Sequence, residues 1–277
     1  MAAPPVVLSI AGSDPSGGAG IQADLKTFAS LGVYGAAAVT CLTVQNTQGV
    51  RSFTPLDPTL VQEQIRAVLD DLPVSHVKIG MVGSAAIATA IAAALHDFAG
   101  EVVYDPVLKA GTGQSLLEGD ARAALAQLLD RATLLTPNLP ELAALSGESC
   151  ATAAEITAAA TTLFRRHPRL AAVVVTGGHG DEAGGEIIDL LYLRAAGHTI
   201  TIVEYVHPRI ASRNLHGTGC TFASAFAAAH ARSGSYETAF REAGAFVAAL
   251  IEKSTAFSLG HGTGPLLHHL VRRNSEP

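Results

Sequence analysis

Short apolar runs rich in β-branched residues alternate along the chain with longer segments whose apolar positions recur at helical spacing. That alternation predicts βα units that build a mostly parallel sheet covered by helices on both faces. Val6–Ala11 predicts a first buried strand, Gly12 to Gly20 a Gly-rich turn, and Ile21 to Leu31 a helix with Leu25, Phe28 and Leu31 on one face, stopped by Gly32. Further strands are predicted at Ala36–Val44, Val77–Ile79, Val102–Tyr104, Thr133–Thr136 and Ala172–Thr176, and helices at Pro58–Asp71, Ser84–Phe98 and Ala153–Phe164. Proline near a first helical position marks a helix start in Pro137-Asn138-Leu139-Pro140-Glu141. Ile187–Leu193 and Thr199–Tyr205 read as an antiparallel hairpin, which is common at the edge of a parallel sheet. From Thr218 to Lys253 the pattern is two Ala-rich helices broken near Gly234. No repeat, low-complexity tract or linker interrupts the 277 residues, so one domain over 1–277 is expected.

Composition narrows the function. Charged residues make up 15% of the chain, where about 25% is usual, and hydrophobic residues make up 48%, which argues for a packed globular protein. A net charge of −6 and a pI near 6.0 argue against a nucleic-acid binder, which carries a basic field or stripe. The three cysteines, Cys41, Cys150 and Cys220, form no C-x-x-C pair and suit a reducing compartment. No apolar run reaches the roughly 18 residues that span a bilayer, and no basic region precedes the first apolar stretch. A cytoplasmic protein without membrane or nucleic-acid partners is expected.

Two glycine clusters carry the candidate chemistry. Gly12-Ser13-Asp14-Pro15-Ser16-Gly17-Gly18-Ala19-Gly20 joins a predicted strand to a predicted helix, where a phosphate or small ligand can meet the helix N-terminus. It lacks the lysine of a P-loop. Gly18-Ala19-Gly20-Ile21-Gln22-Ala23 does fit the dinucleotide fingerprint, but no acid lies between Asp24 and Asp57 to hold a ribose, so that reading is the weaker one. Ligands of open α/β sheets bind beyond the carboxyl ends of strands. Gln45-Asn46-Thr47, Gly80-Met81-Val82-Gly83 and Asp105-Pro106-Val107 each follow a predicted strand and would converge there with the first loop. The second cluster, His216-Gly217-Thr218-Gly219-Cys220-Thr221, opens an Ala-rich helix, so that successive N–H groups and the helix dipole make an anion hole. A thiol in such a first turn has its thiolate favoured. Cys220 is therefore a candidate nucleophile or proton acceptor, or simply a small apolar residue, whereas Cys41, inside a strand, reads as an inert buried thiol.

Seven ordered motifs now stand together: Ala11 to Asp24, Gln45-Asn46-Thr47, Lys78-Ile79-Gly80-Met81, Asp105-Pro106-Val107, Thr136 to Glu141, Gly177-Gly178-His179 and His216 to Cys220. They resemble the hydroxymethylpyrimidine/phosphomethylpyrimidine kinases of thiamine biosynthesis, within the ribokinase-like family. The resemblance implies a three-layer α/β/α sandwich with a mostly parallel central sheet, a homodimer, and ATP with Mg²⁺ at the carboxyl ends of the strands. It further implies phosphoryl transfer to the 5-hydroxymethyl group of 4-amino-5-hydroxymethyl-2-methylpyrimidine and then to the monophosphate so formed. By that resemblance Asp24 and Gln45 would hydrogen-bond the aminopyrimidine, and Gly12, Met81 and Val107 would shape its pocket. Gly217, Thr218, Gly219 and Cys220 would cradle the transferring phosphoryl group, with Cys220 receiving or orienting the hydroxymethyl proton in place of an aspartate base. Thr176 and Gly178 would meet the nucleotide, and Asp105 and Glu141 would hold Mg²⁺, through water.

The chain departs from the resembled pattern where Thr176 replaces a lysine before Gly-Gly-His, and where Ala110-Gly111-Thr112-Gly113 replaces Ala-Lys-Ser-Gly, with Lys109 just upstream. Both changes remove a cation near the expected triphosphate. Two other readings stay open: a pyridoxal or pyridoxine kinase on the same fold, and a catalytically silent ligand-binding protein.

Overall fold

The computed structural model describes residues 3–108, 117–118, 122–179, 185–195 and 199–271. The expected segment from Lys109 to Gly113 lies outside them, as do three residues of the connection expected between Leu193 and Thr199. The first half runs β1 (Val6–Ser13), α1 (Gly20–Ser30), β2 (Tyr34–Asn46), β3 (Gly49–Pro55), α2 (Pro58–Asp71), β4 (Val74–Ile79), β5 (Gly83–Ser84), α3 (Ala85–Ala94) and β6 (Glu101–Tyr104). The second half runs β7 (Leu117–Glu118), α4 (Arg122–Leu129), β8 (Leu134–Leu135), α5 (Leu139–Ser146), α6 (Ala153–Arg166), β9 (Ala172–His179), β10 (Glu186–Arg194), β11 (Ile200–Pro208), α7 (Thr218–Ser233) and α8 (Tyr236–Ser254).

Nine strands form one sheet in the order β11-β10-β9-β8-β6-β4-β1-β2-β3, and β5 and β7 pair separately. The six strands from β9 through β2 pair in parallel. An antiparallel partner closes each side: β10 and β11 beyond β9, and β3 beyond β2.

Side-chain alternation along β1 explains why the sheet is covered twice. Leu8 and Ile10 enter a cluster with Val61 and Ile65 of α2, Ile87 and Ile91 of α3, Leu128 of α4 and Ile156 of α6. Val7 points the other way, against Phe28 of α1, Phe222 and Phe226 of α7 and Phe240 of α8. The result is a helix–sheet–helix sandwich. Gly234, at φ 65°, ends α7 in the left-handed conformation and separates it from α8, as the break in the Ala-rich pattern predicts.

Several segments differ from their expectation, among them the unpredicted α4 and the short β5 and β7. β3 is an additional strand, joined to β2 by the Thr47-Gln48 turn, in which Gln48 N–H donates to Asn46 Oδ1 at 2.9 Å. Consequently Gln45 and Asn46 end β2 rather than occupy a loop. The helix expected to reach Phe98 stops at Ala94. Among the described residues, no helix is long and apolar enough to cross a membrane.

Candidate active site

The parallel arrangement brings the ends of β1, β4, β6 and β8 to one edge of the sheet, beside the N-terminus of α7. A cavity of about 790 Å³ opens there. Of the candidate residues it is lined by Gly12, Gln45, Met81, Asp105, Val107, Glu141 and Thr176, with the whole Gly217–Cys220 turn. Two loops far apart in sequence make its floor. Gly217 caps α7 at φ 84°, and a Cβ there would run into the carbonyl of Gly18, so the second glycine cluster packs directly on the first. Among the described residues, the N–H groups of Gly219 and Cys220 have no protein acceptor, which leaves the helix N-terminus open to an anion.

Asp24 does not reach this cavity, contrary to the role expected for it at the aminopyrimidine. It is fully buried beneath the sheet edge. Its Oδ1 accepts from Lys78 Nζ at 3.0 Å and Ser224 Oγ at 2.7 Å; its Oδ2 accepts from Lys78 Nζ at 3.1 Å and Ser9 Oγ at 2.6 Å. Both oxygens are committed. Register explains the difference: α1 turns Asp24 inward onto β1 and β4, where burying an acid requires a buried cation. Burial alone would push the Lys78 ammonium down, but Asp24, with smaller help from Cys220 and Asp105, holds it above its ordinary value.

Lys78 Nζ also stands 3.9 Å from Asp105 Oδ2, so one buried cation serves two acids. Burial still pushes the Asp105 carboxyl up to about 6, against the pull of Lys78. Glu141 is pushed up to about 7 by burial and by the charge of Asp105, although it takes part in an N-terminal capping box with Asn138. Cys220 lies in the first turn of α7, yet its thiol is pushed up to about 12, because burial and the carboxylates of Asp105 and Asp24 outweigh Lys78 and the Gly20 N–H. The expected thiolate is thus corrected to a neutral thiol. The helix terminus does not decide the matter once acids lie beneath it.

The opposite wall is apolar. Met81 packs with the buried Cys41, alongside Val50, Phe53 and Val107. A Cβ at Gly12 would meet Cys41 Sγ at 2.8 Å and Met81 Sδ at 3.2 Å, so glycine keeps this wall flat. Cys41, inert by position, therefore still sets the shape of the cavity. Val50 and Phe53 come from the unexpected β3, whose polar alternation concealed it.

Thr176 lies near the end of β9, followed by Gly177, whose N–H donates to Asp189 Oδ1 at 2.6 Å. Gly178 belongs to the same strand, and its surroundings fall outside the described residues. The cavity also takes in Asp14, Thr43, Thr136, Asn138 and His216, none of them assigned a role from sequence. Asp14 and His216 were visible inside the two glycine motifs. Their meeting, with His216 Nε2 2.8 Å from Asp14 Oδ2, joins positions 202 apart and has no local signal.

Comparison with known proteins agrees with this geometry. Residues 14–267 match the family described as phosphomethylpyrimidine kinase. The chain belongs to that family. It is 43% identical over 269 residues to the hydroxymethylpyrimidine/phosphomethylpyrimidine kinase of Rhizobium meliloti, covering 96% of this chain and 97% of that protein. The enzyme of the same description from Escherichia coli is 39% identical, with 94% and 96% covered. Among solved structures, phosphomethylpyrimidine kinase from Clostridium difficile superposes with a TM-score of 0.74 at 32% identity, covering 88% of this chain and 98% of that one. An ADP complex of Bacillus subtilis pyridoxal kinase superposes at 0.81 with 33% identity, covering 96% and 98%. This family member is a kinase with the ribokinase-like fold.

Proposed function

We propose that this chain, acting as one domain, transfers the terminal phosphoryl group of ATP to 4-amino-5-hydroxymethyl-2-methylpyrimidine and then to the resulting monophosphate, supplying the diphosphate for thiamine biosynthesis. One observation carries the reading: the unpaired N–H groups that open α7, the Asp105–Cys220 pair and the Gln45 amide all face a single cavity. Phosphoryl transfer needs positioning and charge neutralisation more than covalent chemistry, and preorganised N–H groups provide both.

In the first transfer the hydroxymethyl oxygen attacks the terminal phosphorus, the bond to the ADP oxygen breaks, and the hydroxyl proton must leave. A neutral Cys220 can accept that proton only by passing its own to a neighbour. Asp105, whose carboxylate accepts a hydrogen bond from the Cys220 thiol, is the acceptor in position. In the second transfer the attacking phosphate oxygen is already ionised, so the relay is not required. Asp105 Oδ2 is buried without a hydrogen-bond partner, and Glu141 lines the same cavity. Among the described residues there is no cluster of three or more metal-binding side chains, which fits an ion that takes few carboxylates and keeps its waters. Mg²⁺ held there, through water, would neutralise charge on the nucleotide phosphates. Thr176 and Gly178 would border those phosphates without adding a cation.

The resemblance to pyridoxal kinases of known structure favours a second reading, pyridoxal phosphorylation. ADP release by the purified protein with Mg²⁺-ATP and the hydroxymethylpyrimidine, its monophosphate or pyridoxal separates them. The pyrimidine is expected to turn over fastest. Faster turnover of pyridoxal would reverse the assignment, and no turnover at all would favour the silent binding protein. We place the chain in the cytoplasm, where its three free thiols stay reduced. A homodimer is proposed across the β2–β3 side, where Leu42 and Val44 are 53% and 55% exposed on one face of β2, and the mass in solution checks it.

A further inference from the structure

The first glycine cluster folds around a buried carboxylate, that of Asp14. Its Oδ1 accepts from Ser16 N–H at 2.8 Å and Ser16 Oγ at 2.7 Å, which closes a turn within the loop. Its Oδ2 accepts from Gly18 N–H at 3.2 Å and Ala19 N–H at 2.9 Å, and stands 2.8 Å from His216 Nε2. Despite burial, His216 and Ser16 hold this carboxyl down at about 2, so it is ionised. His216 Nε2 therefore carries the one hydrogen between them and donates it to Asp14. Oδ1 shapes its own loop, whereas Oδ2 reaches across to the cluster that opens α7.

The two clusters meet in step at three points. Asp14 accepts from His216, the Gly18 carbonyl fills the place of a Cβ on Gly217, and the Gly20 N–H donates to the Cys220 sulfur. Only the first of these is made by a charged side chain. One peptide plane ties the second point to it. The C=O of Gly18 and the N–H of Ala19 belong to the same trans peptide and point in opposite directions. By taking the Ala19 N–H, Asp14 turns the Gly18 carbonyl outward onto Gly217, the left-handed cap of α7. Oδ2 thus grips the residue before the cap directly, and the cap itself through one peptide.

We propose that Asp14 is a positioning residue for phosphoryl transfer: through His216 and the Gly18 peptide it seats the Gly217 cap, and so aims the N–H groups of Gly219 and Cys220 at the transferring group. Two loops about 200 residues apart then act as one cradle because a single carboxylate oxygen holds both. The inference rests on the kinase reading of the same cavity.

Steady-state ADP release with Mg²⁺-ATP and either the hydroxymethylpyrimidine or its monophosphate tests it. Asp14→Ala should lower kcat at least about tenfold in both transfers, with KM for the pyrimidine within about threefold. His216→Leu cuts only the direct arm and should lower kcat in the same sense by a smaller factor, while His216→Gln, whose amide N–H can donate to Oδ2, should recover most of that loss. In the double variant Asp14→Ala/His216→Leu the loss should be no larger than in Asp14→Ala alone, since both act through one oxygen. Ser16→Ala removes a donor to Oδ1, leaves Oδ2 untouched, and should keep kcat within about twofold. Where Asp14→Ala folds poorly, the two His216 variants carry the test. Unchanged kcat in His216→Leu, a loss confined to KM for the pyrimidine, no recovery in His216→Gln, or a further loss in the double variant would overturn the inference while leaving the kinase reading intact. Failure of the wild-type protein to release ADP with either pyrimidine would remove both.

Discussion

At the scale of single residues, burial decides what an ionisable group can do, and it does so against local sequence cues. Asp24 follows the glycine loop in a helix's first turns, a position that reads as ligand-facing or exposed, yet Lys78, Ser9 and Ser224 enclose it. The four residues come from four different elements, so only the tertiary fold shows the pairing. Asp24→Asn leaves Lys78 buried with half its partner, and urea unfolding should show a loss of roughly 3–5 kcal/mol. A loss under about 1 kcal/mol would mean that the pair carries little. Cys220 was legible as a candidate from its place before an Ala-rich helix, but its protonation was not, since the acids that raise it arrive from β6 and α1. Cys220→Ala should depress transfer to the hydroxymethyl group at least about tenfold more than transfer to the monophosphate. Equal losses in the two assays would remove Cys220 from the proton path.

Elements place these groups, and some were easier to read than others. The α7 N-terminus was visible because Gly217 and Gly219 flank a run of alanines, and its left-handed cap is a requirement only glycine meets without strain. Gly217→Ala should lower both transfers alike, by at least about tenfold, because the same N–H groups serve each step. A fall in one transfer alone would contradict a shared cradle. The β2–β3 hairpin was hidden, since Gly49–Pro55 alternates without a strongly apolar face and its turn is polar. Its discovery matters to the site, because it moves Gln45 from a loop onto a strand held in register by Val50.

Where α7 crosses β4, His76 Nε2 meets His230 Nδ1 at 2.9 Å, and His76 Nδ1 meets Ser75 Oγ at 2.9 Å. Burial, then the neighbouring His230, pushes His76 down to about 4, against the pull of Glu101. A folded-state value below the unfolded one means that stability is fully present above about pH 6.5 and is lost as pH falls toward 4, by roughly 3 kcal/mol for this group. Thermal melts between pH 7 and pH 4.5 should therefore show a shallower acid decline in His76→Gln than in the parent. Parallel declines would place the acid sensitivity elsewhere.

The whole molecule follows from alternation in its strands: apolar residues on both faces of β1 require helices on both sides, and parallel pairing then sends every ligand-facing loop to one edge. This much was readable from sequence, as was the convergence of the glycine clusters. What was not readable is contact between positions about 200 apart, such as Ser224 with Asp24 or His216 with Asp14. A chain with 18 basic and 24 acidic residues, and threonine at position 176, would have to bind phosphates without a broad cationic surface. On the proposed reading its means are local: oriented N–H groups, and acids that would hold a metal ion. The central claim is that one cavity performs two successive transfers on one pyrimidine. A ³¹P NMR time course of the wild-type protein with Mg²⁺-ATP and the hydroxymethylpyrimidine tests it most directly. The account predicts a monophosphate signal that rises and then gives way to a diphosphate, with two ADP formed for each pyrimidine consumed. A reaction that stops at the monophosphate, or yields no phosphorylated pyrimidine, would contradict it.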